Sequence, residues 1–189
     1  MEALDERIGN WASVRALQDA LRNVGAAVAT LFAQLPDANG GLVDAATARV
    51  CLAELATFRR SLKRATVRLV NATTGATVYD YIAAYEGQFL WSRDGDVGFD
   101  ANGIYIRDRE TRKVRFQARR VIATPAAEGC TLRDVVTGIS ARCGWKHDAE
   151  TAYEVVEHVE TAADHTRTLS ALEHVFRAAI EHDTCVMWC

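Results

Sequence analysis

The residues best suited to chemistry are a group of basic side chains in the middle of the chain. Between positions 107 and 120 there are seven lysines and arginines against two acids, a net charge of +5 in a chain whose overall formal charge is −3. A guanidinium group can hydrogen-bond two oxygens of a phosphate or carboxylate at once. A locally basic segment in an acidic chain therefore indicates a polyanion site of limited extent.

Within this segment the basic residues alternate along the chain, as Arg107 with Arg109 and Lys113 with Arg115. Residues two apart point to the same face of an extended strand, so we expect each pair to present two cations together. Tyr105 and Phe116 are nearby, and their rings could stack on the bases of a single-stranded nucleic acid. The alternative is a solvated strand edge that its charges protect from pairing with other chains.

The carboxyl-terminal part of the chain is acidic and contains all five histidines, His147, His158, His165, His174 and His182. Helical metal ligands are expected three or four residues apart, and no two histidines have that spacing, so no metal site is predicted. Four carboxylates accompany them: Glu150, Glu154, Glu157 and Glu160. Ionised carboxylates repel one another, and histidine gains its charge near neutrality. We therefore expect this region to make contacts between subunits that respond to pH.

Enzymatic chemistry is not indicated. The chain has no glycine-rich phosphate loop, no GxSxG elbow and no HExxH motif. The sequence therefore predicts no catalytic residue and no cofactor. The five cysteines are odd in number and lack a CxxC pair, which is typical of reduced thiols in a cytosolic protein. The closing pair Cys185 and Cys189 could be a zinc half-site, an acylation site or an intersubunit contact, against the alternative of a buried apolar terminus.

Neither export nor a membrane span is predicted. The first residues, Met1–Arg7, are charged where a signal peptide would be apolar. The most apolar run, Val24–Leu35, is too short to cross a bilayer.

Hydrophobic periodicity predicts that long helices position these residues. The predicted helices run from Asn10 to about Leu31, from Asp44 to Arg64, from Tyr79 to Arg93, and from Asp148 to about Glu181. A short hairpin is predicted between Ala65 and Tyr79, and the basic segment is strand-like or irregular. With only two prolines and no linker, we expect one mainly α domain over residues 1–189, with an inner segment at about 94–147.

The order of several short motifs resembles the coat proteins of tobacco mosaic virus and its rod-forming relatives. The matching pieces, in order, are Trp11-Ala12, Ala48-Arg49-Val50, Thr66–Leu69, Val78–Ala83, Arg107-Asp108-Arg109, Ala149–Thr151, Val159–Ala162 and Arg167. This resemblance implies a four-helix bundle with a small strand element and a long inner loop. It also implies that copies stack into a helical rod around single-stranded RNA. The segment between Arg93 and His147 is longer than the family pattern.

The resemblance also implies which residues face the RNA. Arg49 matches a phosphate-facing arginine of the family's second helix, and either Arg93 or the Arg107/Arg109 pair matches one at the end of the third. Together with the rest of the basic segment, the predicted RNA-binding set is Arg49, Arg93, Arg107, Arg109, Arg112, Lys113 and Arg115.

Two function classes follow. The first is a structural, self-assembling capsid protein without enzymatic activity, found in the virion and the host cytoplasm, with its own copies and viral RNA as partners and no membrane. The alternative is a small cytosolic helical interaction or adaptor protein whose basic segment binds an acidic partner.

Overall fold

The computed structural model of this chain describes residues 8–37 and 40–188. Numbered in chain order, its helices are α1 (Trp11–Val24), α2 (Ala29–Gln34), α3 (Ala45–Ser61) and α4 (Thr166–Glu181). Its strands are β1 (Leu42–Val43), β2 (Lys63–Asn71), β3 (Thr77–Asp80), β4 (Gln88–Leu90), β5 (Asp96–Asp100), β6 (Gly103–Arg107), β7 (Val114–Ala118), β8 (Arg120–Ala126), β9 (Gly129–Asp134), β10 (Ser140–Cys143), β11 (Thr151–Thr161) and β12 (Val186–Met187).

The predicted fold class, a mainly α four-helix bundle, is wrong. The protein is mixed α and β, with three longer helices and three antiparallel sheets among the described residues. Where a third helix was predicted, between Tyr79 and Arg93, the chain forms β3, a single 3-10 turn and β4. The predicted last helix is strand β11 in its first part, and α4 begins only at Thr166.

The first two predicted helices and the hairpin are present. Asn10 caps α1, because its side chain accepts a hydrogen bond from the Ser13 backbone N–H at 2.9 Å. The helical path then passes through a 3-10 turn at Gly25–Val28 into the short α2. Asp44 caps α3 in the same way, 2.6 Å from the Thr47 N–H. The hairpin pairs β2 with β3, antiparallel.

The chain divides into two compact units: unit 1 is Met1–Arg64 with Glu160–Cys189, and unit 2 is Ala65–Val159. Unit 1 is helical. Its core is formed by the inward faces of α1, α3 and α4, where Leu17, Phe58 and Phe176 are fully buried. Burying a side chain of this size contributes about 1.5–3 kcal/mol. Near the end of the chain β12 pairs with β1, and the Trp188 indole donates a hydrogen bond to the Gln34 carbonyl at 3.0 Å.

Unit 2 is built from strands. Six strands follow the order β10-β9-β8-β11-β2-β3, and a second sheet follows the order β4-β5-β6-β7. Between the end of β7 and the start of β8 lies a single residue, Arg119, so the chain passes there from one sheet to the next. Two hydrogen bonds to Val155 hold this crossing: the Arg119 carbonyl accepts from the Val155 N–H at 2.9 Å, and the Arg119 side-chain Nε donates to the Val155 carbonyl.

The core of unit 2 follows the alternation of its strands. In β8, Val121 and Ala123 are buried while Arg120 and Thr124 are exposed. In β9, Leu132 is buried and Arg133 is exposed. One face of these strands therefore packs inward, and the opposite face of the same strands is open to solvent.

Candidate functional site

Two arginines of the predicted RNA-binding set are already engaged by acids. Glu86 Oε2 accepts hydrogen bonds from Arg107 Nη1 at 2.6 Å and from Arg112 Nη2 at 2.9 Å. Arg107 also donates to the Gln88 amide oxygen at 3.1 Å, and Arg112 lies 3.6 Å from the buried carboxylate of Asp96. The hydrogen bond from Arg107 and the charges of both arginines hold the pKa of Glu86 below its ordinary value. Both cations thus have internal partners.

The tip of the β6–β7 hairpin carries two further cations of the basic segment, Arg109 and Lys113. Residues 108–113 form a turn in which Asp108 accepts from the backbone N–H groups of Glu110 and Thr111. Arg109 and Lys113 are exposed there and have no ion-pair partner within the described part of the chain. Arg115, by contrast, donates to the backbone carbonyls of Asp94 and Arg142.

The predicted stacking surfaces are absent. Tyr105 is 3% exposed and Phe116 is 5% exposed. The Tyr105 hydroxyl donates to the Glu86 carbonyl at 2.8 Å, which holds the ring inside unit 2. Because both rings belong to the core, neither can stack on a base, and that part of the RNA hypothesis is wrong.

The two remaining predicted arginines lie elsewhere. Arg49 is exposed on α3 of unit 1 and makes no ion pair with a described residue. Arg93 is exposed in the loop between β4 and β5 of unit 2.

The four predicted intersubunit carboxylates have different environments. Glu150 accepts from the Thr124 hydroxyl at 3.0 Å, Glu154 is the register partner of Arg120, and Glu157 lies 3.6 Å from Arg119. Glu160 is 7% exposed and belongs to unit 1. Its carboxylate is engaged by Arg64 and His165 of the same unit, and an intersubunit role for all four carboxylates stays a prediction.

Inside unit 1, Glu160 is the centre of a buried ionic group. Arg64 Nε and Nη2 lie 2.6 Å and 2.5 Å from Glu160 Oε2, and His165 Nε2 lies 2.9 Å from Oε1. A third Arg64 nitrogen donates to the Asp19 carbonyl at 3.1 Å. Burial acts to raise the pKa of Glu160, but the hydrogen bond to His165 and the charge of Arg64 outweigh it, and the net pKa is lowered.

A second set of arginines, outside the predicted set, lies on the open face of unit 2. Arg120, Arg133 and Arg142 belong to the adjacent strands β8, β9 and β10, and all three are exposed. The register pairs Arg133 with Ile122 on one side and with Ser140 on the other. Arg120 lies two residues before Ile122 on β8, and Arg142 lies two residues after Ser140 on β10. The three arginines therefore lie in a diagonal line on one face, which we call the arginine diagonal.

The spacing along the arginine diagonal is regular. Diagonal neighbours on adjacent antiparallel strands are about 7–8 Å apart. None of the three side chains has an ion-pair partner among the residues that the structure describes. Sequence reasoning counted Arg120 in the basic segment but missed Arg133 and Arg142. The alternation of buried Cys130 and Leu132 with Thr131 and Arg133 could have placed Arg133 on an outward face of β9, but the register that aligns the three arginines has no local sequence signal.

An apolar hairpin tip lies beside the arginine diagonal. The turn between β9 and β10 exposes Val135 by 46%, Val136 by 88% and Ile139 by 64%, and we call these three residues the hairpin tip. Asp134 shapes the turn by accepting from the Val136 N–H at 2.9 Å and from the Thr137 hydroxyl. The Val135 N–H donates to the Arg120 carbonyl at 3.1 Å, which joins the tip to the diagonal.

One histidine of unit 2 is held in an aromatic cluster. His147 packs against Trp145 with ring centroids 4.3 Å apart, and its Nδ1 lies 3.2 Å from the Tyr153 hydroxyl. Burial lowers the pKa of His147. The cluster continues to Phe89 and Tyr79, whose rings stack at 4.5 Å.

Neither a metal site nor a membrane-spanning helix is found in the described residues. No three His, Cys, Asp or Glu side chains within 8–37 and 40–188 are grouped so that they could hold a metal ion. Over the same residues, no helix combines the length and the apolar character that crossing a bilayer requires.

Comparison of the chain with protein-family models, with curated proteins and with solved structures finds no match. The four-helix bundle that the resemblance to rod-forming coat proteins implies is wrong, because the described chain is mixed α and β. The functional implications of the resemblance stay predictions.

Proposed function

We propose that this protein is a small interaction protein whose unit 2 binds an acidic segment of a partner protein through the arginine diagonal. The observation that carries the proposal is the row of Arg120, Arg133 and Arg142 on one solvent-facing sheet surface, where none of them forms an ion pair with a described residue. Glu154 on β11 is in register with Arg120 on the same face but is not within ion-pair distance of it. Free cations on a rigid sheet attract and orient an anionic segment at little cost in ordering.

The spacing of the diagonal suits an extended acidic peptide. Carboxylates at alternate positions of an extended chain are about 6.5–7 Å apart, and the arginines are about 7–8 Å apart. A peptide that crosses the face along the diagonal can therefore meet each guanidinium with a carboxylate, in the two-oxygen geometry that arginine favours.

The surroundings of the diagonal favour a protein over a nucleic acid. Sequence-tolerant binding of single-stranded RNA depends on aromatic rings that stack on the bases. The outward side chains of β8, β9 and β10 are arginine, threonine, serine and isoleucine, and the hairpin tip is aliphatic. Arginine is enriched at protein–protein interfaces, and an exposed apolar group beside polar residues marks a surface that a protein partner can bury.

A peptide titration tests the proposal. The probe is a fluorescein-labelled peptide with glutamate at alternate positions, and its anisotropy is measured with the full chain at low and at physiological salt. We expect saturable binding that weakens as salt rises, because exposed charge pairs are screened. A peptide with glutamine in place of glutamate should not bind.

Matched variants locate the binding surface. Substituting R120Q, R133Q and R142Q together should weaken binding at least about tenfold, since three exposed ion pairs contribute up to about 1 kcal/mol each. The control is R109Q with K113Q, which removes two exposed cations from the same unit but away from the diagonal. Equal losses in the two variants, or no binding by the unchanged protein, would refute the proposal.

An oligouridine probe in the same assay distinguishes RNA binding from binding of an acidic protein segment. Binding of oligouridine that exceeds peptide binding and is lost with R109Q and K113Q would favour the predicted basic segment over the diagonal. Encapsidation of RNA in a rod stays a prediction of the sequence resemblance, and negative-stain microscopy at mildly acid pH tests it.

A further inference from the structure

Two buried cysteines face each other across adjacent strands of unit 2. Cys130 on β9 and Cys143 on β10 are register partners, and their sulfur atoms lie 3.6 Å apart. Each residue is 1% exposed. From this geometry we infer that Cys130 and Cys143 form a dithiol site that a hydroperoxide oxidises reversibly to a cross-strand disulfide.

The backbone already has the separation that a disulfide needs. Register partners in antiparallel sheets have Cα atoms about 4.5–5.5 Å apart, and disulfides span Cα separations of about 4.4–6.8 Å. The two sulfurs are in contact, so bond formation requires only small side-chain rotations. The strands are also held close: an ideal Cβ on Gly129 would lie 2.1 Å from the Cys143 carbonyl oxygen, so only glycine fits beside this pair.

The environment of the pair distinguishes the two thiols. A hydrogen bond from Cys130 lowers the pKa of Cys143, burial opposes this, and the nearby charge of Arg115 adds to the lowering. The same hydrogen bond, together with burial, raises the pKa of Cys130. The Arg115 guanidinium donates to the Arg142 carbonyl, next to Cys143 in the chain, and its charge favours ionisation of Cys143. In the inferred site Cys143 is therefore the attacking thiolate and Cys130 completes the bond.

The chemistry balances with hydrogen peroxide as the oxidant. The Cys143 thiolate attacks one peroxide oxygen, the O–O bond breaks, and a sulfenic acid forms with release of one water after proton transfer. Cys130 then attacks the sulfenic sulfur, the S–O bond breaks, and a second water leaves. In total two thiols lose two electrons and two protons, and one peroxide is reduced to two waters.

Access to the buried pair is through the sheet edge. Strand β10 is only four residues long and lies at one end of the six-stranded order. Short edge strands open locally more readily than the strands between them. Oxidation then ties β10 to β9, and we expect the midpoint of thermal unfolding to rise by about 5–10 °C.

Peptide mapping of the reduced full chain, treated with hydrogen peroxide and digested with trypsin without reductant, tests the inference. Cleavage after Arg120, Arg133, Arg142 and Lys146 gives a peptide 121–133 with Cys130 and a peptide 143–146 with Cys143. We expect these two peptides to appear linked, with the mass of two hydrogens lost, and to separate after dithiothreitol. Cys51 is the internal control, because it is fully buried with no thiol partner among the described residues and burial raises its pKa to about 11.

A variant with Cys185 and Cys189 changed to serine leaves the buried Cys51 as the remaining thiol outside the pair, and it should still give the linked peptide. The substitution C143S should abolish the linked peptide. If C143S does not fold, the peptide map of the unchanged protein by itself shows whether the link between Cys130 and Cys143 forms. Unlinked thiols at both positions under conditions that oxidise Cys185, or separate sulfinic acids without a link, would overturn the inference.

Discussion

At the scale of single residues, the most constrained charge in the protein is Glu160. It is buried in unit 1 between Arg64 and His165, with contacts of 2.5–2.9 Å. Buried ion pairs add little net stability compared with apolar residues of the same size, but removing one partner leaves an uncompensated charge. The group therefore fixes the local arrangement of its three members.

A first prediction concerns this ionic group. The substitution E160Q should lower the free energy of unfolding by about 3–5 kcal/mol near neutral pH, because it leaves the charge of Arg64 buried without its partner. Urea unfolding followed by far-UV circular dichroism measures the effect. The control E181Q, at the exposed end of α4, should change the free energy by less than about 0.5 kcal/mol.

The same variant has a predicted pH signature. The pKa of Glu160 is lowered in the folded state, so the unfolded state binds the proton more readily. Its contribution to stability is full above the unfolded pKa of about 4.5. The contribution is lost as pH falls through the folded value, and E160Q should flatten this part of the stability curve. A curve in acid that is parallel to that of the unchanged protein would contradict the assignment.

At the scale of elements, a comparison of two glycines distinguishes the effect of a left-handed backbone from the effect of close neighbouring atoms. Gly75 and Gly87 have nearly the same backbone angle, φ +72° and φ +73°. An ideal Cβ on Gly87 would lie 1.9 Å from the Phe99 carbonyl oxygen, whereas no described atom lies within 4 Å of one on Gly75. The turn before β4 thus requires glycine both for its left-handed backbone and for lack of space, whereas the β2–β3 turn requires it only for the backbone.

A second prediction follows from this pair. The substitution G75A should cost about 1–2 kcal/mol, the price of a left-handed backbone for a residue with a Cβ. G87A should cost about 1–3 kcal/mol more than G75A, because the added methyl group overpacks the site and β5 must move away from the turn. Chemical unfolding of both variants measures the difference, and equal losses would show that the contact with Phe99 relaxes freely.

The elements also explain which parts of the fold the sequence could predict. Helices α1 and α3 were predictable, because an apolar stripe and a capping side chain agree at each. Strand β11 was not recognised, because Ala152, Val155, Val159 and Ala162 also fit helical spacing. The β-branched and aromatic residues of Thr151–Thr161 favour a strand, and pairing with β8 decides the outcome. Such pairing is long-range and leaves no local signal.

At the scale of the whole molecule, what matters is which charges remain free after folding. The sequence predicted a binding role for residues 107–115. In the folded chain, however, Glu86 before β4 pairs with both Arg107 and Arg112, and Asp96 in β5 lies near Arg112. Arg109 and Lys113 are exposed and make no ion pair with a described residue, so a binding role for these two residues stays a prediction. The arginine diagonal could not be predicted from sequence, because it depends on the register of three strands.

The predicted rod assembly has its own whole-molecule test. If the chain assembles through Glu150, Glu154 and Glu157, light scattering with size-exclusion chromatography should detect larger particles at about pH 5 than at about pH 8, since protonation relieves carboxylate repulsion. A single monomeric peak at both values would remove self-assembly from consideration and leave the interaction protein as the remaining proposal.

The central claim is that an acidic protein segment binds along the arginine diagonal, and amide chemical-shift mapping by NMR tests it most directly. The uniformly ¹⁵N-labelled full chain is titrated with the alternating glutamate peptide. We predict the largest shifts at the amides of Arg120, Arg133 and Arg142 and of the hairpin tip residue Val136, with little change at Arg109. Shifts confined to Arg109 and Lys113, or no shifts at saturating peptide, would contradict the claim.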